Sequence, residues 1–315
     1  MQSDNTILVK NHGATQGTYY HIQYLSENGK DYKFQIDSIL HEIDSSLSIY
    51  QEFSLISKIN QGDKIEIDSL FNDVFLSAQQ VYLETHGYFD CTVYPIVREW
   101  GFYNNANFDN IDSSRIESLL KNVGFNKIYL QNKNLILPEN MFLDFNALAQ
   151  GYSVDLIVEF LKREGCKDFL VEIGGELFAE GINPDGDNWK VGVDKPMNEI
   201  DLNNRFYFIL ELSGKALATS GNYHNFYEKD GVKYSHIINP FTGFPAKNRL
   251  LSVSIIHQNC MLADAYATAF MSMGVKKSKK FLNKRQDIEG YLIYTDQNGN
   301  WKTYISDNFK QRLIN

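Results

Sequence analysis

Between Cys260 and Phe270 the chain reads Cys-Met-Leu-Ala-Asp-Ala-Tyr-Ala-Thr-Ala-Phe, with Asp264 as its one charged residue. No proline or glycine breaks the stretch, and apolar residues fall on every side of a 3.6-residue period. The pattern predicts a helix enclosed by other elements rather than laid on a surface. Asp264 and Thr268 are four residues apart, so their oxygens share one helical face. A carboxylate on a buried helix needs a partner or a cation. Hard oxygen ligands suit magnesium or calcium, with other positions left to carbonyls, water or phosphate. The same two residues also admit a plain reading, with Thr268 bonding back to its own helix and Asp264 capping a neighbour.

The rest of the chain offers many short elements to surround this helix. Residues 15–25 are rich in Thr, Tyr and Ile and are predicted to form a strand, with Gly17 permitting close approach of another group, a ligand among the candidates. Ile36, Ile39, Leu40, Ile43 and Leu47 recur at helical spacing, in a helix predicted to run into Ser48-Ile49-Tyr50. A second helix over Leu70 to Tyr82 is entered at Asp68 or Ser69 and closed by His86-Gly87. Ser114 with Glu117 fits a capping box for a helix over 116–123. Strands are predicted near 127–130, 135–137, 141–145, 169–173, 189–193, 205–212 and 251–257, and a last hairpin joins 290–295 to 301–305. Lys276 to Lys280 reads as a solvated helical face. Strands interleaved with helices, and no Gly-rich dinucleotide fingerprint, predict a mixed α+β chain. Its 315 residues suit one domain over 1–315, or two intimately packed subdomains.

Four further segments are candidates for chemistry. Asp144 ends one predicted strand directly before Asn146-Ala147-Leu148-Ala149-Gln150-Gly151, which leads into a helix. Such a junction is an anion site, through outward-pointing amides, or a place where helices must pack closely. Tyr88-Phe89-Asp90 and Trp100-Gly101-Phe102 serve either as packing or as stacking surfaces for a flat ring. Ala218-Thr219-Ser220-Gly221-Asn222-Tyr223 reads as a hydroxyl-rich turn. Lastly, Asn239-Pro240-Phe241-Thr242-Gly243 is predicted to be a tight, rigid turn, with His236 at its entrance.

The net charge of -9 and pI near 5.3 argue against a nucleic-acid binder held by general electrostatics, while leaving phosphate chemistry open through a metal or backbone amides. Cys91, Cys166 and Cys260 form no close-spaced pair, so neither zinc nor a disulfide framework is indicated. No apolar run approaches the ~18 residues of a membrane span.

Taken together the segments resemble the ApbE family, the FAD:protein FMN transferases. The motifs run in order: Gln16-Gly17-Thr18; Ser48-Ile49-Tyr50 with Ser54, Ile56 and Asn60; Gly87-Tyr88-Phe89-Asp90 with Thr92, Pro95 and Trp100-Gly101-Phe102; then Asp144, Ala147 and Gln150-Gly151; Gly174-Gly175; Ala218 to Gly221; His236 to Pro245; and Ala263-Asp264-Ala265 with Thr268. The resemblance implies a mixed fold likened to a duplicated T-fold unit with helical and strand insertions. It implies transfer of the FMN half of FAD, with magnesium, onto a threonine hydroxyl of a target protein, releasing AMP. Asp264, Thr268 and the Ala147 carbonyl match the family's metal site. Gln16, Tyr50, Tyr88, Phe89, Asp90, Asp144, Gln150 and Ile237 match flavin-contacting positions, and His236 matches a functional histidine, read as base or positioning group.

Gln16 and Gln150 stand where the family usually has methionine and lysine, and Glu176 and Asn222 also depart from its pattern. Loss of the lysine keeps two other activities in view, an FAD pyrophosphatase that admits water and a non-catalytic FAD-binding protein. The acceptor implied is a redox-pump or electron-transfer subunit with a threonine flavinylation motif. The location implied is that of an exported, periplasmic or membrane-anchored lipoprotein whose anchor lies outside this chain, with a cytoplasmic location as the alternative.

Overall fold

The computed structural model describes residues 6–102, 112–195, 205–221, 226–229, 232–235, 237–246 and 248–314. The first half contains β1 (Thr6–Thr15), β2 (Thr18–Glu27), α1 (Lys33–Leu47), α2 (Leu55–Asn60), α3 (Ser69–Glu84), α4 (Tyr94–Glu99), α5 (Ser113–Leu120), β3 (Tyr129–Gln131), β4 (Asn134–Ile136) and α6 (Asn146–Arg163). The second half contains β5 (Phe169–Ile173), β6 (Glu176–Glu180), β7 (Trp189–Asp194), β8 (Phe206–Leu212), β9 (Lys215–Gly221), β10 (Phe226–Lys229), β11 (Val232–Ser235) and β12 (Leu250–His257). It closes with α7 (Cys260–Met273), α8 (Val275–Leu282), β13 (Glu289–Thr295), β14 (Trp301–Ile305) and α9 (Asp307–Lys310).

The helix foreseen from its all-round apolar composition is α7, and nearly all of its side chains are buried. It lies between α6 and the sheet strands β9 and β12, with α3 beyond. Its start is heavily capped. The Asn259 side chain accepts the Leu262 amide, and Asp155, reaching across from α6, accepts the amides of Cys260 and Met261 at 2.8 and 2.9 Å. Three of the amides that a helix leaves orphaned are thus satisfied away from water. Gly274, at φ +76, ends the helix.

The sheet beneath it has the order β1-β2-β5-β6-β9-β12-β13-β14, with every neighbouring pair antiparallel. Strand β12 is buried on both faces: Val253 and Ile255 join the core around α7, while Ile256 joins a second core under the β7–β8 ribbon. A third core fills the space between β2, β5, α1 and α6. The mixed α+β architecture matches the expectation.

Several local expectations do not hold. The strand over 15–25 is the second arm of a hairpin, whose two-residue turn is Gln16-Gly17 at φ +49 and +74. Gly17 therefore serves the primed turn that a right-twisted hairpin needs. A side chain there would meet no other atom of the chain within 4 Å, so the turn, and not close packing of the protein against it, is what the fold asks of Gly17. Helix α1 stops at Leu47, leaving Ser48 to Tyr50 outside it. Asp112, not Ser114, caps α5, its Oδ1 accepting the Ser114 amide at 2.9 Å. Residues 141–145 form no strand, because Leu143 is held through both its backbone groups, at 2.8 Å each, by the Asn60 side-chain amide rather than by a ladder. Ala218 to Gly221 lie within β9, not in a turn; Ala218 is wholly buried on a strand packed beneath α7, where small residues let the helix approach. Asn222 and Tyr223 lie outside the described residues.

Candidate active site

Helix α6 and the head of β6 converge on the first turns of α7, and the β1–β2 hairpin meets both of them. From α6, the Gly151 amide reaches Asp264 Oδ2 at 3.4 Å. In an α-helix the carbonyl at position i points toward the amide at i+4, so the Ala147 carbonyl faces the same neighbourhood. From the β5–β6 turn come Gly174 and Gly175, at φ +63 and +106, and then Glu176. A Cβ on Gly174 would lie 2.9 Å from both Gln150 Nε2 and Thr18 Cγ2, so this turn, the α6 start and the β1–β2 hairpin meet there. From that hairpin, Gln16 donates to Ser153 Oγ on α6 at 2.7 Å, and Ser153 donates to the Ala149 carbonyl.

The electrostatics of this junction are unbalanced. Asp264 is 8% exposed and Glu176 is 7% exposed. Desolvation raises the pKa of both carboxyls above the ordinary carboxylate range; the charge of Asp264 raises Glu176 further, while the Gly151 amide favours ionised Asp264. Glu176 Oε2 and Gln16 Oε1 are both enclosed, and neither has a hydrogen-bond partner among the described residues. Thr268 is half-buried one turn beyond Asp264 on the same face.

At the entrance of α6, Asp144 Oδ1 accepts the Asn146 amide at 2.8 Å, and the Asn146 side chain donates to the Tyr50 hydroxyl at 3.4 Å. The Asp144 amide donates to the Cys91 carbonyl, which ties in the segment carrying Tyr88, Phe89 and Asp90. Tyr88 is half-buried, edge-on to Phe241 at 4.9 Å between ring centres and with Lys277 Nζ 5.0 Å from its own. Phe241 belongs to the foreseen rigid turn, where Asn239 accepts the Phe241 and Gly243 amides and Trp100 Nε1 donates to the Gly243 carbonyl at 2.8 Å. Ile237 is buried, its carbonyl taking the Ala246 amide. His236 lies outside the described residues.

Two of the expected flavin contacts point into the protein. Phe89 is a core residue. Asp90 is buried, with Oδ1 accepting from the Thr92 amide and hydroxyl and Oδ2 from the Phe125 amide. Burial pushes its pKa up, against those hydrogen bonds. Asp90→Ala should therefore destabilise the fold by about 2–4 kcal/mol, since it strands three buried donors. A urea melt checks this; an unshifted midpoint with weakened FAD binding would make Asp90 a ligand contact instead.

Sequence reasoning singled out Glu176 only as a departure and missed Ser153. An acid placed directly after Gly-Gly at the head of an apolar strand was the available signal for Glu176. A surface pocket of about 690 Å³, between Asn60–Ile65 and the β3–β4 hairpin, is lined by none of the predicted site residues. The unbalanced charge, not that pocket, marks the site.

The ApbE family model matches residues 16–292. The chain belongs to the ApbE family. It is 33% identical to the FAD:protein FMN transferase of Vibrio cholerae, over 96% of this chain and 91% of that one. It is 29% identical to the enzyme of the same description from Escherichia coli K12, over 96% and 88%. Among solved structures, the flavin transferase ApbE from Vibrio cholerae superposes with a TM-score of 0.87 at 32% identity, covering 98% of this chain and all of that one. The apo flavinyl transferase ApbE of Pseudomonas stutzeri gives the same TM-score at 28% identity, over 99% and 98%. The ApbE motifs quoted from the sequence thus lie within one full-length resemblance.

Proposed function

We propose that this protein is a magnesium-dependent FAD:protein FMN transferase acting on a threonine hydroxyl. The observation that carries the metal reading is the buried, under-compensated Asp264 carboxylate beside Glu176, at the start of α6, in a chain of the ApbE family. Among the described residues no group of three or more His, Cys, Asp and Glu side chains forms a metal cage. The fitting donor set is instead mixed: the Asp264 carboxylate, the Thr268 hydroxyl and the Ala147 carbonyl, all hard oxygens. A divalent cation held by them would set positive charge against the pyrophosphate oxygens of FAD.

The chain's own groups do the rest. Amides at the start of α6 favour phosphate oxygens, and the Gln150 amide donates where a lysine would bring charge. Tyr50 and the Tyr88–Phe241 pair offer aromatic faces for the flat rings. His236 takes the proton of the threonine hydroxyl as its oxygen attacks the phosphorus of the FMN half. The bond to the AMP phosphate oxygen breaks, and AMP leaves with the electron pair. Alignment and charge neutralisation supply most of the acceleration.

The test is to incubate the protein with FAD, magnesium and a threonine-containing acceptor peptide and to weigh the peptide. The expected result is a gain of one FMN, abolished by chelator. AMP and free FMN without labelled peptide would indicate a pyrophosphatase, and intact FAD a binding protein. We further propose an exported location and a redox-carrying acceptor, following the family resemblance; cell fractionation and a search for covalent flavin in membrane proteins check both.

A further inference from the structure

We propose that Glu176 supplies a second carboxylate to the divalent cation at Asp264, so that the site is closed from the β5–β6 turn as well as from α7. This rests on the metal reading above. Glu176 is more than nine-tenths buried, and its Oε2 has no hydrogen-bond partner among the described residues. The charged neighbours that bear on it are Asp264 and Glu172, both acidic, so nearby charge repels it rather than stabilising it. Its own backbone amide favours the ionised form, yet a buried acid with one oxygen left unpartnered is costly, and an apolar residue would fill the head of β6 without that cost.

The placement of the carboxylate follows from the backbone. Cys260 Sγ lies 3.8 Å from the Leu177 carbonyl, so the first turn of α7 sits over β6. Asp264 is one helical turn further along α7, and Glu176 is one residue back along β6. The positive φ of Gly174 and Gly175 turns the chain directly into Glu176, while Gln150 and Thr18 pack over Gly174 and close that side. Two carboxylates, a hydroxyl and a carbonyl make a hard-oxygen set whose two negative charges balance a dication. Two carboxylates also bind a dication more tightly than one, in the way that ligand charge count tunes such sites.

Binding of Mn²⁺ to the full chain, read from the electron paramagnetic resonance signal of free Mn²⁺ with and without FAD, tests the assignment without reference to turnover. Glu176→Gln should weaken Mn²⁺ roughly ten- to a hundredfold, the range seen when groups around a metal are altered. Asp264→Asn should weaken it at least as much. Glu172→Gln, which removes a nearby charge without touching the site, should change it by less than about threefold. The near-ultraviolet circular dichroism of each variant reports whether packing is intact. If Glu176→Gln binds Mn²⁺ like the wild type while Asp264→Asn does not, Glu176 is not a ligand and the metal reading stands. Equal weakening by Glu172→Gln would reduce Glu176 to background charge and overturn the proposal. Unchanged binding in Asp264→Asn would overturn the metal reading itself.

Discussion

Asp264→Asn is expected to remove magnesium-dependent transfer, with kcat/KM falling about a thousandfold or more, while making the metal-free protein more stable. The two effects have opposite signs because one carboxylate has two roles. In the catalysis proposed above it would anchor a cation on a buried helix, and an amide would not replace that charge. In the metal-free fold it is a desolvated acid beside another, Glu176, and among the described residues the Gly151 amide alone donates to it, at 3.4 Å. Removing one charge from such a pair should gain about 1–3 kcal/mol near neutral pH.

The pH dependence follows the same sign. A carboxyl with a raised folded-state pKa is neutral and harmless below its unfolded value, and it destabilises increasingly as pH climbs through the folded one. The metal-free wild type should therefore lose stability from mildly acid to neutral pH, and Asp264→Asn should lose less. Thermal melts across that range, with and without magnesium, check both parts. Loss of activity accompanied by a lower melting temperature would mean that the variant had merely unfolded.

Gly151→Ala is expected to destabilise the protein by about 2–4 kcal/mol, against a helix propensity that favours alanine by nearly 1 kcal/mol. An added Cβ would sit 2.5 Å from the Cys260 carbonyl oxygen and 2.8 Å from both the Cys260 carbonyl carbon and Met261 Cα. These are backbone atoms at the capped start of α7, and no rotamer change can move them. Helices α6 and α7 must separate, which strains the Asp155 bonds to Cys260 and Met261 and draws the Gly151 amide away from Asp264. Urea unfolding measures the first effect and Mn²⁺ affinity the second. A variant as stable as the wild type would show that the crossing is looser than the structure has it.

Much of this protein is legible along the chain because the signals are local. The all-round apolar run over Cys260 to Phe270 dictates an enclosed helix, and Asp68 at the head of an amphipathic pattern dictates the start of α3. The prolines and glycine of the 239–245 turn dictate its rigidity, and the ordered motifs point to the family before any coordinate is known. Each rests on periodicity, capping or backbone stereochemistry, which a few neighbouring residues determine.

What the tertiary structure decided is which side chains point inward and what they find there. Asp90 and Asp264 look alike in sequence, each an acid amid apolar residues. One has both oxygens taken by backbone and hydroxyl donors brought from Thr92 and Phe125, while the other meets a second acid. Glycines 17 and 151 are likewise indistinguishable by composition, yet one serves a turn with open space around it and the other a helix crossing with none. Residues 218–221 have turn chemistry and lie in a strand because β12, distant in sequence, pairs with them while β6 holds the earlier part of the same strand at 215–217. Such outcomes depend on the sum of long-range contacts, and a carboxylate's role is set by the partners that those contacts deliver.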